Sequence, residues 1–128
     1  MNGLDLTGLV EPLNYRELYR EVGEKYGVDP ELLYRQARQE SSLNPLAVDP
    51  KTKYGRAKGM AQFLDTTARQ YGLRVGRGVD ERLDPVKAAD AQARLMRDLI
   101  DKYDGDERLA LAAYNSGTSR SPASARRA

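Results

Sequence analysis

The chain has 128 residues, of which 40% are hydrophobic and 31% charged, so its size and composition indicate one soluble globular domain with a single modest core. Its formal net charge is only +2, and it contains neither cysteine nor histidine. These absences exclude disulfides, nucleophile systems built on cysteine or histidine, and the usual nitrogen and sulfur metal ligands. Acid–base chemistry near neutral pH would therefore rest on carboxylates, tyrosines or amines with a shifted pKa.

The first residues, MNGLDLTGLVEPLNY, lack the features of a secretory signal. They have no basic start, and they reach Asp5 and Glu11 before any apolar run attains signal-peptide length. We therefore expect no signal peptide, synthesis in the cytoplasm and no membrane insertion. Residues 1–13 are interpreted as an N-terminal extension of the folded domain.

The first predicted helix has aromatic and apolar residues at helical spacing, namely Tyr15, Leu18, Tyr19, Val22 and Tyr26. Asn14 is its predicted cap, and Gly27 its predicted end. Asp29 followed by Pro30 is a cap with proline at the first helical position, so a second helix is predicted from Pro30 to about Glu40.

The middle of the chain is predicted as loop, helix and loop. The dipeptides NP and DP after the second helix predict an extended loop, because a residue before proline is biased away from helix. The stretch KGMAQFLDTTARQYGL predicts a helical segment from Gly59 to Tyr71, broken or recapped at Asp65 and ended by Gly72. The following RVGRGVDERLDP is predicted to be a loop.

The longest helix is predicted to start at Asp84 and Pro85, which repeat the combination of cap and proline. Its apolar stripe consists of Val86, Ala89, Ala93, Met96, Ile100 and Tyr103. After the turn DGD, ERLALAAYNSG predicts a buried helix ended by Gly117. Residues 118–128 are interpreted as a polar basic tail, flexible or truncated. Because no β-alternation persists, the predicted fold class is all-α.

The stretch between Pro50 and Gly78 is basic, with a single acid, Asp65. Its seven basic residues are Lys51, Lys53, Arg56, Lys58, Arg69, Arg74 and Arg77. The favoured interpretation is a solvated face and loop; the alternative is attraction to an anionic polymer, either nucleic acid or a carboxylate-bearing cell wall. The sequence offers no recognition-helix motif, so no nucleic-acid partner is expected.

Glu40 is a candidate acid at the end of the second helix. Helical spacing places Leu33, Gln36, Ala37 and Glu40 on one face. The helix dipole disfavours an anion in the last turn, and a partly apolar setting adds a desolvation penalty, so both effects would raise the pKa of this carboxyl. A carboxyl kept neutral until it meets a leaving-group oxygen is what general-acid cleavage of a glycosidic bond requires. From local position alone, an ordinary surface glutamate is the favoured alternative.

Three short blocks, ESSLNP, GMAQF and AAYNSG, follow one another along the chain. In this order they resemble the signature blocks of the soluble lytic transglycosylase family. The resemblance covers roughly Tyr15 to Gly117. It implies an all-α, lysozyme-like catalytic domain over residues 14–117 and an enzyme that degrades murein, a peptidoglycan lytic transglycosylase.

The resemblance implies a role for Glu40 as the single acid and base. It would protonate the oxygen between N-acetylmuramic acid (MurNAc) and N-acetylglucosamine (GlcNAc), and then take the proton of the muramyl C6 hydroxyl, which closes onto C1 as a 1,6-anhydro end. Ser41 would brace the site by hydrogen bonding. Gly59 would let the backbone approach the saccharide, and Gln62 would hydrogen-bond a sugar. No cofactor and no metal are implied.

The remaining matched residues are Met60, Tyr114 and Asn115. Met60 belongs to the second block, although its side chain is more typical of a core. The Tyr114 hydroxyl would lie near the glutamate, and Asn115 would support the site. The implied partners are peptidoglycan glycan strands and other virion or secretion-machinery proteins, with a phage particle delivering the domain to the periplasm or cell wall.

Two alternatives stay open at this point. A goose-type muramidase would use water and leave reducing ends. A non-catalytic peptidoglycan-binding or structural virion module is favoured by one departure: family domains continue past the third block with a further helix, whereas eleven mostly polar residues follow Gly117 here.

Overall fold

The structure is a computed structural model that describes residues 14–118. Within this range the helices are α1 (Tyr15–Tyr26), α2 (Pro30–Ser41), α3 (Asp65–Gln70), α4 (Pro85–Lys102) and α5 (Glu107–Ala113). Two short strands, β1 (Val75–Gly76) and β2 (Val79–Asp80), precede a 3-10 helix, Glu81–Leu83, and a π-helical segment, Tyr114–Thr118, follows α5. The predicted extension, 1–13, and residues 119–128 of the predicted tail lie outside the described residues.

The first two helices confirm the sequence prediction, including their caps. The Asn14 side chain accepts a hydrogen bond from the Glu17 amide, and Gly27 ends α1 in the left-handed conformation with φ of 70°. The Asp29 side chain accepts from the Glu31 amide at the start of α2. Each cap satisfies a backbone donor that the first helical turn leaves unpaired.

The prediction of helix from Gly59 was wrong, because residues 59–62 form turns and Phe63 pairs with Lys58 in an isolated β-bridge. Gly59 and Gln62 have positive φ values of 84° and 57°, which an α-helix does not allow. Lys58 and Phe63 exchange backbone hydrogen bonds of 3.1 and 3.2 Å across these residues. The bonds close a loop, which we call the 58–63 turn, and it takes the place of the predicted first helical turn.

The helix that follows this turn is short. The predicted break at Asp65 is confirmed, since Asp65 is the first helical residue, but Leu64 rather than Asp65 occupies the cap position and makes no side-chain bond. The Asp65 carboxylate instead accepts from Arg69, one turn later, at 3.3 Å. The predicted end is confirmed, because α3 stops at Gln70 just ahead of Gly72.

The segment predicted as a loop contains a β-hairpin. Val75 pairs with Asp80 and Gly76 with Val79, in antiparallel register. The two-residue connection ends in Gly78, whose φ of 74° suits the sharp reversal. The other named elements within residues 14–118 are helices, and none of them has the length and apolar character needed to cross a bilayer.

Helix α4 is the centre of the packing. The Asp84 side chain caps it by accepting from two amides, as predicted. Ala89, Ala93, Met96 and Ile100 of the predicted stripe are buried, whereas Val86, in the first turn, is 48% exposed. The side chains that are fully buried around this helix include Tyr19, Leu33, Met60, Phe63 and Tyr114, so residues from α1, α2, the 58–63 turn and the π-helical segment share one core.

The last described segment differs from its prediction in two ways. Helix α5 is not a buried helix, because Ala110 is its one buried residue and Leu109 is 50% exposed. The helical path does not stop at Gly117 but continues in π geometry to Thr118. The π turn starts at Tyr114, and such turns occur frequently at functional sites.

An ion cluster connects the hairpin to α4. The Glu81 carboxylate accepts hydrogen bonds from the Arg74 amide at 2.7 Å and from the Lys87 ammonium at 2.7 Å. These partners, Lys87 first, lower the pKa of Glu81 from the ordinary 4.5 to about 2. The carboxylate therefore stabilises the folded chain only while it stays ionised.

We predict that Glu81→Gln makes the free energy of unfolding depend less on pH in the acid range. Because the folded pKa lies below the unfolded one, this contribution is complete above pH 4.5 and is lost as the pH falls towards 2. Urea unfolding at successive pH values should show a shallower decline in the free energy of unfolding for the variant across that window. Lys87→Gln should remove part of the same decline, and a slope like that of the wild type in both variants would contradict the assignment.

Candidate active site

Glu40 lies in the last turn of α2, half-buried, one turn beyond Gln36. The predicted face is confirmed, because Leu33, Gln36 and Ala37 are all buried. The carboxyl therefore sits where the buried face of α2 reaches the surface. This position combines a fixed backbone with access to solvent.

Ser41 connects the end of α2 to the 58–63 turn. Its Oγ lies 3.0 Å from the carbonyl oxygen of Ala37 and 2.9 Å from that of Met60. A hydroxyl has one proton to donate, so the two carbonyls share or alternate it. The bond to Met60 holds the 58–63 turn against the helix end that carries Glu40. The role in bracing an active site that the resemblance implies for Ser41 stays a prediction.

Tyr114 holds the same turn from the other side. Its hydroxyl donates to the carbonyl oxygen of Ala61 at 2.7 Å, and its fully buried ring packs on Phe63 with centroids 6.2 Å apart. Met60 and Ala61 are consecutive, so the first and third sequence blocks each bond to the second. The fold thus brings all three blocks together at the end of α2, where Glu40 precedes Ser41, and the predicted proximity of the Tyr114 hydroxyl to Glu40 stays a prediction.

We predict that Tyr114→Phe destabilises the chain by about 1–2 kcal/mol, because it leaves the buried Ala61 carbonyl without this donor. Urea unfolding measures the change. The matched control is Tyr71→Phe, whose hydroxyl donates to Asp98 at the surface and whose loss should cost under about 0.5 kcal/mol. Equal costs in the two variants would contradict a special role for the buried bond.

Gln62 is held inside the 58–63 turn and is only 1% exposed. Its Nε2 lies 2.8 Å from the Gly59 carbonyl oxygen and 3.3 Å from that of Ala47, which fixes the orientation of the amide because both partners are acceptors. Its Oε1 is buried with no hydrogen-bond partner among the described residues. An unsatisfied buried oxygen costs about 1–3 kcal/mol. Because the amide is enclosed and bonds within the turn, Gln62 supports the turn in this conformation, and the sugar contact predicted for it stays a prediction.

Gly59 and Met60 both make contacts inside the chain. A Cβ at Gly59 would lie 1.9 Å from the Arg82 carbonyl oxygen, so one close approach that requires glycine is made to this chain's own backbone, and the approach to a saccharide stays a prediction. The Met60 side chain is fully buried in the core, as is typical of methionine, and its carbonyl accepts from Ser41; the substrate contact implied for Met60 stays a prediction. Asn115 is half-buried in the π turn, and its supporting role stays a prediction.

A series of buried hydrogen bonds between side chains supports α2. These bonds were not predicted from the sequence. The Tyr19 hydroxyl donates to Gln92 Oε1 at 2.7 Å, and Gln92 Nε2 donates to Gln36 Oε1 at 2.7 Å. Burial raises the pKa of Tyr19, so it stays a neutral donor. The signal was present in the sequence, because Gln36 and Gln92 interrupt otherwise apolar helix faces.

A groove of about 380 Å³ lies between α2 and α5. Gln36, Gln39, Glu107, Arg108 and Leu111 are among its lining residues, so it combines amide, acidic, cationic and apolar groups. Gln39 directly precedes Glu40 in the chain. No group of three or more carboxylates suited to a metal ion occurs within residues 14–118.

The basic residues singled out in the sequence divide into two groups. Three pair with acids, two of which lie beyond the basic stretch: Lys58 with Asp80, Arg69 with Asp65 and Arg74 with Glu81. The others are exposed side chains without an ion-pair partner in the described part of the chain: Lys51, Lys53, Arg56 and Arg77. Attraction of this second group to an anionic polymer stays a prediction.

Among solved structures, the fold is similar to an inactive variant of the lytic transglycosylase Slt from Pseudomonas aeruginosa. The TM-score is 0.64 at 22% sequence identity, and the match covers 83% of this chain and 17% of the other. The likeness shows that the two share a fold. It confirms the predicted lysozyme-like, mostly helical domain.

Comparison of the sequence with known proteins and with family models identifies the family of this chain. The chain is 41% identical over 110 residues to the peptidoglycan transglycosylase gp16 of Escherichia phage T7, covering 85% of this chain and 8% of that protein. It is 36% identical over 99 residues to the membrane-bound lytic murein transglycosylase D of Escherichia coli K12, covering 74% of this chain and 22% of that protein. The chain thus spans a small part of the relatives it matches. Residues 17–127 match the family described as the transglycosylase SLT domain, and the chain belongs to that family.

Proposed function

We propose that this domain cleaves the β-1,4 bond between MurNAc and GlcNAc in peptidoglycan, with Glu40 as both acid and base. The observation that carries the proposal is the convergence of the three blocks. Ser41 and Tyr114 bond to the consecutive carbonyls of Met60 and Ala61, which fixes the turn beside Glu40. Membership of the SLT family supports the reaction class.

The proposed reaction needs one carboxyl group. Glu40 enters as a neutral acid and gives its proton to the bridging oxygen as the bond from that oxygen to C1 of the muramyl residue breaks. The resulting carboxylate takes the proton of the C6 hydroxyl while O6 bonds to C1, so Glu40 is neutral again and no water is consumed. Glu40 is the single carboxylate in the three blocks, in contrast to the acid and nucleophile pair of most retaining glycosidases.

The groove between α2 and α5 supports a saccharide substrate. Glycans present hydroxyl and acetamido groups, which the exposed amide of Gln39 can donate to and accept from. Leu111 offers an apolar contact for a sugar face, and Arg108 offers a cation to the carboxylates of peptide stems. We propose that the glycan strand follows this groove to Glu40.

Delivery by a phage particle is the proposed cellular context. Its support is the 41% identity to a protein of phage T7 that is named a peptidoglycan transglycosylase. Mass spectrometry of purified virions from the source of this sequence would test this context directly. Absence of the chain's peptides from intact particles would reject it without affecting the proposed chemistry.

Digestion of purified sacculi, with mass spectrometry of the soluble products, tests the reaction. A lytic transglycosylase leaves anhydromuramyl ends, which are lighter than reducing ends by one water. Reducing muramyl ends would indicate a goose-type muramidase instead. Retention on sacculi without any released fragment would indicate a non-catalytic binding or structural module.

A further inference from the structure

Arg82 is a buried cation whose donors are almost fully used. It is 5% exposed, and its Nε and Nη2 bond to the two carboxylate oxygens of Asp80 at 2.9 and 2.8 Å. Its Nη1 donates to the carbonyls of Arg56 at 3.0 Å and Phe63 at 3.1 Å. A buried charge is tolerated when it is paired and hydrogen-bonded in this way.

The contacts of Arg82 converge on the 58–63 turn. The guanidinium bonds to the Phe63 carbonyl at the end of the turn, while the Arg82 backbone carbonyl packs against Gly59 near its start. A second cation, Lys58, approaches Asp80 at 3.7 Å. Asp80 and Arg82 therefore hold both ends of the turn, and none of the hydrogen bonds of the Arg82 side chain goes to α2 or α5.

This turn is held in an unfavourable state. Gln62 has a φ of 57° and a buried Oε1 without a partner among the described residues. A positive φ at a residue other than glycine and a buried acceptor without a partner are both unfavourable, and such features persist where the surroundings over-determine the conformation. The Arg82 contacts supply that constraint, since they fix the backbone on both sides of Gln62.

We propose that Arg82 is a positioning residue, which sets Gln62 and the Met60 and Ala61 carbonyls for the reaction by clamping the 58–63 turn through Asp80. The inference rests on the proposed function for its kinetic consequence. The clamp itself is a property of this chain's own residues. Arg82 acts through the turn and does not contact the substrate.

Arg82→Lys tests the clamp, because lysine keeps the charge but cannot make the bidentate bond to Asp80 together with the two carbonyl bonds. Asp80→Asn is the milder second variant, which keeps the shape and weakens the hold on the guanidinium. Glu81→Gln is the matched control, since Glu81 is the neighbouring residue and its bonds go to Arg74 and Lys87 rather than to the turn.

The first measurement is the NMR signal of the Gln62 side-chain amide. We expect this signal to shift towards that of a free amide in Arg82→Lys and Asp80→Asn, and to stay unchanged in Glu81→Gln. An unchanged signal in both clamp variants, or an equal shift in the control, would overturn the proposal. This readout does not depend on activity.

The second measurement is a double-mutant cycle on soluble glycan strands. Arg82→Lys should lower kcat/KM about tenfold in the wild-type background and about twofold or less in the Gln62→Ala background, because both changes disrupt one unit. Equal losses in the two backgrounds would show that Arg82 contributes only general stability, and would overturn the proposal. If the wild type releases no product, the proposed function fails, and the amide signal alone decides the positioning role.

Discussion

Replacing Glu40 by glutamine is expected to lower the rate of product release from sacculi by about a thousandfold, within the range that general acid–base catalysis contributes. Glutamine has the same shape as glutamic acid, but its amide can neither give a proton to the glycosidic oxygen nor take one from the C6 hydroxyl. Time courses of soluble fragments, with wild-type and variant protein at equal concentration, measure the change. Binding to sacculi should persist.

The matched control for this variant is Glu31→Gln. Glu31 lies on the same helix, in its first turn, and is exposed beside Arg16. We expect activity within about twofold of the wild type, because a surface ion pair contributes little. If Glu40→Gln folds normally and keeps more than a tenth of the wild-type activity, another carboxyl group must be the acid.

The helices that the sequence predicted well are those with complete local signals. Helix α2 begins with Asp29 and Pro30, and α4 begins with Asp84 and Pro85, so cap, proline and apolar face all specify the same boundary. These features lie within a few residues of one another. Distant parts of the chain do not have to be known for such a helix to be located.

The 58–63 turn could not be predicted because its determinants are distant in sequence. Met60, Ala61 and Gln62 have good helix propensity, and the residues themselves predict a helical turn. What overrides this propensity is the guanidinium of Arg82 at the Phe63 carbonyl and the Arg82 carbonyl against Gly59. The hairpin could not be predicted because its two-residue strands are too short to show an alternation of apolar and polar residues.

Within the candidate site, too, some features could be predicted from the sequence and others could not. The three blocks located Glu40, Ser41 and Tyr114, and the structure places the two hydroxyls on adjacent carbonyls. The sequence alone does not reveal that Gly59 is required by an internal contact. It also does not reveal that Gln36 depends on Gln92, because that bond joins two helices whose pairing only the fold supplies.

Gly59→Ala is expected to be the most destabilising single-methyl change in the site, at about 3–5 kcal/mol. Two effects add. An alanine at φ of 84° costs about 1–2 kcal/mol of backbone strain. Its Cβ would also lie 1.9 Å from the Arg82 carbonyl oxygen, far inside van der Waals contact, so the turn or the 3-10 helix must move. Urea unfolding measures the loss.

Gly72→Ala separates the two effects. Gly72 has a nearly identical φ of 83°, but a Cβ there would meet nothing within 4 Å, so this variant should show the backbone strain alone, about 1–2 kcal/mol. The difference between the variants then measures how firmly the Arg82 carbonyl is held against the turn. If both substitutions lower the free energy of unfolding equally, the Arg82 carbonyl moves away easily from residue 59. Its contact with Gly59 would then be too weak to hold Gln62 in place.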